Sequence, residues 1–384
     1  MQEKQENTGI VWFRNNLRTK DNSSLKKAID NHDKVIAIYV FDPKSFKKDS
    51  FGFKKTEKYR AQFLIETITN LKENLAKLNI TLLTYFELPE LVFKNICIHF
   101  KIDAIYTQKE WTPEESKTNT LIKESISESI NFVEDYDQFL YHPDTVSKKF
   151  ENIPDVFTGF RKKLEKYVEI LPESTISKLS ADNLIENNTE IPSLKVLGFD
   201  AFKIHKNSAF PFLGGETEAL KRIDHYFFET KKVGFYKQTR NGLVGVDYST
   251  KFSAWLANGS LSAKTIYYKI KEYEKEFGSN QSTYWVVFEL IWRDYFKYIS
   301  LKYESKIFKI GGILNRQYDW STDQKVIQQW IDGETKDDFV NANMIEIKAT
   351  GWMSNRGRQN VASYFAKELL VDWRIGASYF ESLL

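Results

Sequence analysis

Five short apolar runs punctuate the first third of the chain, at 10–13 (IVWF), 35–41 (VIAIYVF), 80–85, 102–107 and 131–133. Each is too short for an ordinary helix, and the longer ones are rich in β-branched and aromatic residues. Between the second and third runs, Leu64, Ile68, Leu71, Leu75 and Leu78 recur at 4, 3, 4, 3 and mark one face of a helix. Strands buried on both faces and separated by helices pack as a parallel sheet. Residues 1–135 are therefore predicted to form a doubly wound α/β domain, whose ligands sit beyond the carboxyl ends of the strands. Neither GxGxxG nor GxxxxGK[ST] occurs in it, which removes the dinucleotide and P-loop fingerprints.

From 136 to 204 the pattern weakens. Pro143, Pro154, Pro172 and Pro192 interrupt it, and polar clusters such as 186–189 (ENNT) lie between. This stretch reads as a connector wrapping the surface, with one helix near 156–169. After Gly214 and Gly215 the periodicity is helical throughout, so 205–384 is predicted to be an all-α domain. Its helices are expected at 261–277, 283–303, 325–330 and 355–384, the last with Val361, Phe365, Leu369 and Trp373 on one stripe.

Composition narrows the class. In 384 residues, 42% are hydrophobic and 28% charged, and no run of eighteen apolar residues occurs, so no membrane span is expected. The polar start at 1–7 carries no secretion signal, and the single cysteine, Cys97, excludes a disulfide framework. A cytoplasmic monomer is expected. The five histidines show no metal-ligand spacing, so no metal is expected. The net charge of +3 does not by itself announce nucleic-acid binding, although local clustering decides the field. Aromatic residues reach 15%; most belong in a core, and a chromophore or base-stacking site needs particular positions.

Three segments of the helical half supply such positions. The first runs from Tyr236 to Ser253 and is dense in small polar residues before a helix. Ser249, Thr250 and Ser253 offer hydroxyls and Lys251 a charge; a phosphate site and an ordinary helix cap are both open readings, and capping is the commoner role. The second places Glu289, Trp292 and Arg293 on one helical face. They read as an intrahelical ion pair beside a half-buried ring, or as a pocket wall in which Arg293 holds the carboxylate or an anionic ligand. The third, 351–360 (GWMSNRGRQN), sets Arg356 and Arg358 around Gly357, where a solvated basic turn and the close approach of a ligand are alternatives. Trp320 and Trp373, taken singly, read as core.

Together these segments resemble one family, the photolyases and cryptochromes. The resemblance starts at IVWFRNNLR (10–18), passes through GGET (214–217), 236–253, ELIWRD (289–294) and TGWMSNR (350–356), and ends at DWR (372–374). TRNG (239–242), DYSTKFS (247–253), STYW (282–285) and NRGRQN (355–360) are similar to the DASH-type cryptochromes, and 52–56 and 140–144 agree.

The resemblance implies a flavoprotein with a U-shaped FAD in the helical domain. Tyr236, Ser249, Thr250, Lys251, Phe252 and Ser253 match positions that grip its phosphates and ribityl chain. Arg293, Trp352, Met353, Ser354, Asn355 and Arg358 match positions around its ring and pyrophosphate. Glu289 matches the carboxylate that hydrogen-bonds a damaged pyrimidine pair, Trp292 the stacking wall, and Asn355 and Arg356 the cavity lining. Trp373 and Trp320 match the middle and outer members of the tryptophan chain that reduces the photoexcited flavin. Glu110 matches a pterin-binding carboxylate of a methenyltetrahydrofolate antenna, or is a surface residue of a strand-to-helix turn.

The implied activity is blue-light repair of cyclobutane pyrimidine dimers, on single-stranded, UV-damaged DNA. A blue-light photoreceptor with little repair activity and a flavin-poor, nucleic-acid- or protein-binding member are the alternatives. Asn355 and Arg356 stand where a (6-4) photoproduct enzyme would place histidine. Two departures from the family are visible. The family continues past Leu384 with a segment carrying the residue that faces flavin N5 and the innermost tryptophan, so a shortened chain or loss of the usual photoreduction is expected. Asp338, Asn341 and Ile345 stand where the family usually has proline, aspartate and a basic or polar residue, which is expected to alter packing beneath the flavin site.

Overall fold

The computed structural model describes residues 7–384; the polar stretch before Asn7 lies outside them. Strands β1 (Thr8–Phe13), β2 (Lys34–Val40), β3 (Leu82–Tyr85), β4 (Ala104–Gln108) and β5 (Asn131–Asp135) form a single sheet in the order β3-β2-β1-β4-β5, with every pair parallel. Helices α1 (Ser23–Asn31), α2 (Lys58–Lys77), α3 (Pro89–His99) and α4 (Pro113–Ser125) connect the strands. The apolar stripe of α2 is buried through Ile68, Leu71 and Leu75. Strand order reverses between β1 and β4, which opens a crevice at their carboxyl ends. The β3 edge is covered rather than bare: Asn187 Nδ2 donates to Leu82 O at 2.8 Å, and Thr84 N–H donates to Thr189 Oγ1 at 2.9 Å.

The connector holds α5 (Pro143–Ser147) and α6 (Phe157–Tyr167). It divides its packing. Phe139 to Val168 contribute to the helical core, whereas Ile176, Leu179, Leu197 and Phe199 pack on the sheet. Asp294 anchors its first part, accepting the N–H groups of Leu140 and Tyr141 at 2.9 and 2.8 Å.

The helical part comprises α7 (Glu216–Asp224), α8 (Tyr236–Thr239), α9 (Ser253–Asn258), α10 (Ala263–Phe277), α11 (Gln281–Tyr303), α12 (Gln324–Asp332), α13 (Asp338–Thr350), α14 (Asn355–Lys367) and α15 (Trp373–Leu383). The stripe expected to run unbroken through 355–384 is divided in two. Leu370 takes φ 51°, Ser321 N–H donates to Leu370 O at 2.7 Å, and Asp372 N–H returns to Ser321 O at 3.0 Å. Asp372 then caps α15 by accepting Arg374 N–H. Asn341, one of the departures from the family, ties the turn before α13: its Oδ1 accepts from Thr335 N–H and its Nδ2 donates to Thr335 O.

Polar groups join the two halves. Glu216 accepts Thr19 N–H, Thr19 Oγ1 and Lys20 N–H at 2.7–2.9 Å. Arg18 donates to Gly259 O at 3.0 Å, and the fully buried Asp21 pairs with Lys264 at 2.6 Å. Gly259, at φ 71°, is required here, because a Cβ would lie 1.8 Å from Asn15 O.

Candidate cofactor and substrate site

Helix α7 aims Arg222 at the loop entering α9. Its guanidinium donates to Ser249 O at 3.0 Å and Thr250 O at 3.1 Å and pairs with Asp247 at 2.7 Å. Burial alone would raise the Asp247 carboxyl; hydrogen bonds from Lys232 and Arg222 override it and hold the group at about 2. The clamped loop turns through Lys251 at φ 65° and buries its side chain, which has 2% exposure and no partner for Nζ. The ammonium lies 3.4 Å from the Tyr248 ring centre and 4.9 Å from that of Trp352. The Tyr248 hydroxyl and the Trp352 indole N–H are also buried and unpartnered. Arg358 faces Trp352 at 5.5 Å. Burial depresses Lys251 to about 7 and Arg358 to about 10. Cations and donors that outnumber the carboxylates facing them, Asp247 and Glu346, make a wall suited to an anion.

Helix α9 starts at Ser253 with Phe252 in the cap position and no side-chain cap, so the capping role open to Ser249, Thr250 and Ser253 is not the one they take. Phe252 is core, at 3% exposure. At the start of α14, Ser354 Oγ accepts Gly357 N–H at 2.9 Å, Met353 is fully buried, and Trp352 stacks on Phe210 at 4.8 Å. Gly357 approaches a neighbouring helix: a Cβ there would lie 2.0 Å from Asn343 Oδ1 on α13.

A second cluster adjoins α8. Glu289 pairs with Arg240, a residue the sequence reading left unassigned within TRNG. Burial raises the Glu289 carboxyl, opposed by Arg240 and Trp285. Burial also pushes the phenol of Tyr236 far above its ordinary range, with Glu289 adding to the shift. Arg356, exposed beside Asn355, donates to Asn241 Oδ1 at 3.2 Å, which brings the α14 start to the loop that carries Arg240. Glu289, Trp292 and Arg293 share a helix but not neighbours. Arg293 does not hold Glu289; it donates to Gln138 O at 2.5 Å and Leu256 O at 3.0 Å. Trp292 lies flat on Phe157 at 3.5 Å, with Phe296 5.6 Å away.

Trp320 and Trp373 flank the parallel Ser321–Val371 bridge, one just before it and one just after it. Trp373 Nε1 donates to Ile310 O at 3.1 Å, and Trp320 Nε1 is buried without a partner. In the crevice between β1 and β4, Glu110 is half-buried and accepts from Gln108 Nε2 at 2.7 Å and Asn15 Nδ2 at 3.3 Å. Burial raises its carboxyl, while Arg14 and Lys297 oppose the shift. Lys297 itself is lowered to about 8 by burial. Among the described residues no group of side chains has the makings of a metal site, and no helix is long and apolar enough to cross a membrane.

Comparison with known proteins places these clusters in context. The sequence model of DNA photolyase matches residues 9–177, and that of the FAD binding domain of DNA photolyase matches 285–384. The chain is 40% identical to the cryptochrome DASH of Synechocystis sp., across 98% of this chain and 77% of that one. It is also 40% identical to the cryptochrome DASH of Xenopus laevis, across 98% and 73%. The crystal structure of a Synechocystis cryptochrome superposes with a TM-score of 0.93, covering 98% of this chain and 78% of the other. A class III photolyase from Agrobacterium tumefaciens, 22% identical, shares the fold with a TM-score of 0.82, covering 99% and 77%.

Proposed function

The chain belongs to the photolyase and cryptochrome family, in its DASH branch, and on that premise we propose that it binds FAD and repairs cyclobutane pyrimidine dimers in single-stranded DNA under blue light. The observation that carries this reading is the unpartnered ammonium of Lys251, buried with the free donors of Tyr248 and Trp352 and with Arg358. These residues fit the pyrophosphate of FAD, whose charge they would neutralise, while Trp352 and Met353 wall the ring. FAD, when bound and reduced, supplies one electron on absorbing light.

The other roles fall to this chain's own side chains. Glu289 accepts a ring N–H of the flipped pyrimidine pair, and Arg240 orients that carboxylate and balances its charge. Asn355 and Arg356 line the mouth, where the exposed guanidinium contacts the DNA backbone. Trp320 and Trp373 pass electrons inward. In the α/β crevice, Glu110 holds the pterin of a folate antenna, with Arg14 and Lys297 supplying positive charge.

The test uses chemically reduced FAD, which bypasses the tryptophan residues. Glu289→Ala is expected to take up FAD normally and to repair dimer-containing single strands about a hundredfold more slowly, because losing one such contact costs about 3 kcal/mol. Repair at the full rate by Glu289→Ala removes the assigned role. A wild type that binds FAD yet repairs nothing turns the reading to a photoreceptor, and one that takes up no FAD turns it to a flavin-poor binding protein.

A further inference from the structure

Trp285, Phe288, Trp292, Tyr295 and Tyr303 lie along one face of α11. Trp285 stacks on Phe288 at 4.7 Å, and Phe288 meets Phe157 of α6 at 5.3 Å. Phe157 lies on Trp292 at 3.5 Å with 10° between planes, and Trp292 meets Tyr295 at 5.8 Å. Tyr295 and Tyr303 then converge on one residue. Tyr295 donates to Asp155 O at 2.6 Å, and Tyr303 donates to Asp155 Oδ1 at 2.6 Å. The same Oδ1 also accepts Lys302 Nζ at 2.6 Å, and that bond holds the carboxyl low. The series begins at Trp285, which stands against Glu289 and Arg240, and ends on a phenol outside the core. Packing alone explains rings in a core. It does not explain a run of them from Trp285 to Tyr295 that is joined through Asp155 to an oxidisable phenol facing a carboxylate.

We propose that this stripe is a hole relay from the cavity to the surface, separate from Trp320 and Trp373. Only its oxidant, a photoexcited oxidised flavin, rests on the function proposed above. The oxidant takes one electron from Trp285, and electrons from Trp292 and then Tyr303 refill the vacancy inward. Tyr295 carries the hole without keeping it, because its phenol faces a backbone carbonyl that cannot take a proton. Tyr303 loses its electron to the relay and its proton to the Asp155 carboxylate, leaving a neutral tyrosyl radical. An external thiol returns a hydrogen atom to Tyr303 and becomes a thiyl radical, and Asp155 releases its proton to water.

The experiment needs no flavin. Lys237 Nζ sits 4.6 Å from the Trp285 ring centre, so a ruthenium tris(bipyridine) photo-oxidant attached at Lys237→Cys, in the full chain with Cys97→Ser, starts the relay at its inner end. A flash with a sacrificial cobalt(III) ammine acceptor, which takes the excited electron and leaves ruthenium(III) as the oxidant, is expected to give a tyrosyl radical by transient absorption and paramagnetic resonance. Trp292→Phe is expected to slow its rise several-fold, and Tyr303→Phe to leave the radical on tryptophan. Asp155→Asn is expected to make the rise accelerate with pH. Near-ultraviolet circular dichroism checks that the variants fold. An unchanged rise and radical in both Trp292→Phe and Tyr303→Phe overturns the proposal. FAD uptake, measured separately by absorbance, reports on the flavin reading alone.

Discussion

Lys251 concentrates the chemistry of the cavity in one side chain. Its ammonium is held at about 7 chiefly by burial; Arg222 and Arg358 lower it further, Glu346 and Asp247 oppose them, and Tyr248 faces it with a ring. A bound pyrophosphate favours the charged form and raises the group. FAD binding above pH 7 is therefore expected to take up a proton, and affinity to fall by about tenfold per pH unit until the raised value is passed. Isothermal titration in two buffers of different ionisation heat measures that proton. Lys251→Arg, charged throughout, is expected to remove both the uptake and the pH slope; a slope that survives it places the titrating group elsewhere. The residue types of this site were legible in DYSTKFS, but its clamp was not. Arg222 lies on α7, 25 residues before Asp247 of the loop, and nothing in local spacing links them. Arg240 was missed as the partner of Glu289 for the same reason: Arg293, four residues away along α11, offered a nearer pairing that backbone carbonyls had already taken.

At the level of elements, strand and helix periods read through to the fold wherever packing followed them. All five strands fall where the apolar runs lie, and α2 buries the stripe counted from its leucines. The reading failed where a long-range backbone pair overrode the local pattern, at the break between α14 and α15, which Ser321 imposes from fifty residues away. Gly357 shows the same lesson within one helix. In an exposed helix, Gly→Ala stabilises by about 1 kcal/mol. Here the added Cβ collides with Asn343, which is 5% exposed and donates from Nδ2 to Phe339 O. Gly357→Ala is therefore expected to destabilise the ligand-free chain by about 1–3 kcal/mol in urea unfolding. Shortening the neighbour in Gly357→Ala/Asn343→Ala is expected to recover part of that. A stabilised single variant would return the glycine to the ligand-approach reading.

Across the whole molecule, the two halves are joined by more than the chain. The connector gives its first part to the helical core and its second to the sheet, so a cut near Glu186 leaves the sheet fragment still packed in the helical core through 139–168 and the helical fragment still packed on the sheet through 191–199. The halves are held together by this crossed packing, by ring contacts such as Phe63 on Trp255 and Phe53 on Tyr379, and by the buried polar contacts at Glu216, Asp21 and Arg18. Glu216 accepts three donors from Thr19 and Lys20 at 5% exposure, so its removal leaves two backbone N–H groups without their acceptor. Each orphaned donor costs about 1–3 kcal/mol. A chain nicked once in the exposed stretch around Glu186 is expected to elute as one particle in gel filtration, and nicked Glu216→Ala to separate at a lower urea concentration. The intact variant is expected to unfold in two steps where the wild type unfolds in one. Separation of the nicked wild type without denaturant would mean that the covalent connection, and not the contacts of Glu216, Asp21 and Arg18, keeps the crevice of Glu110 against α11.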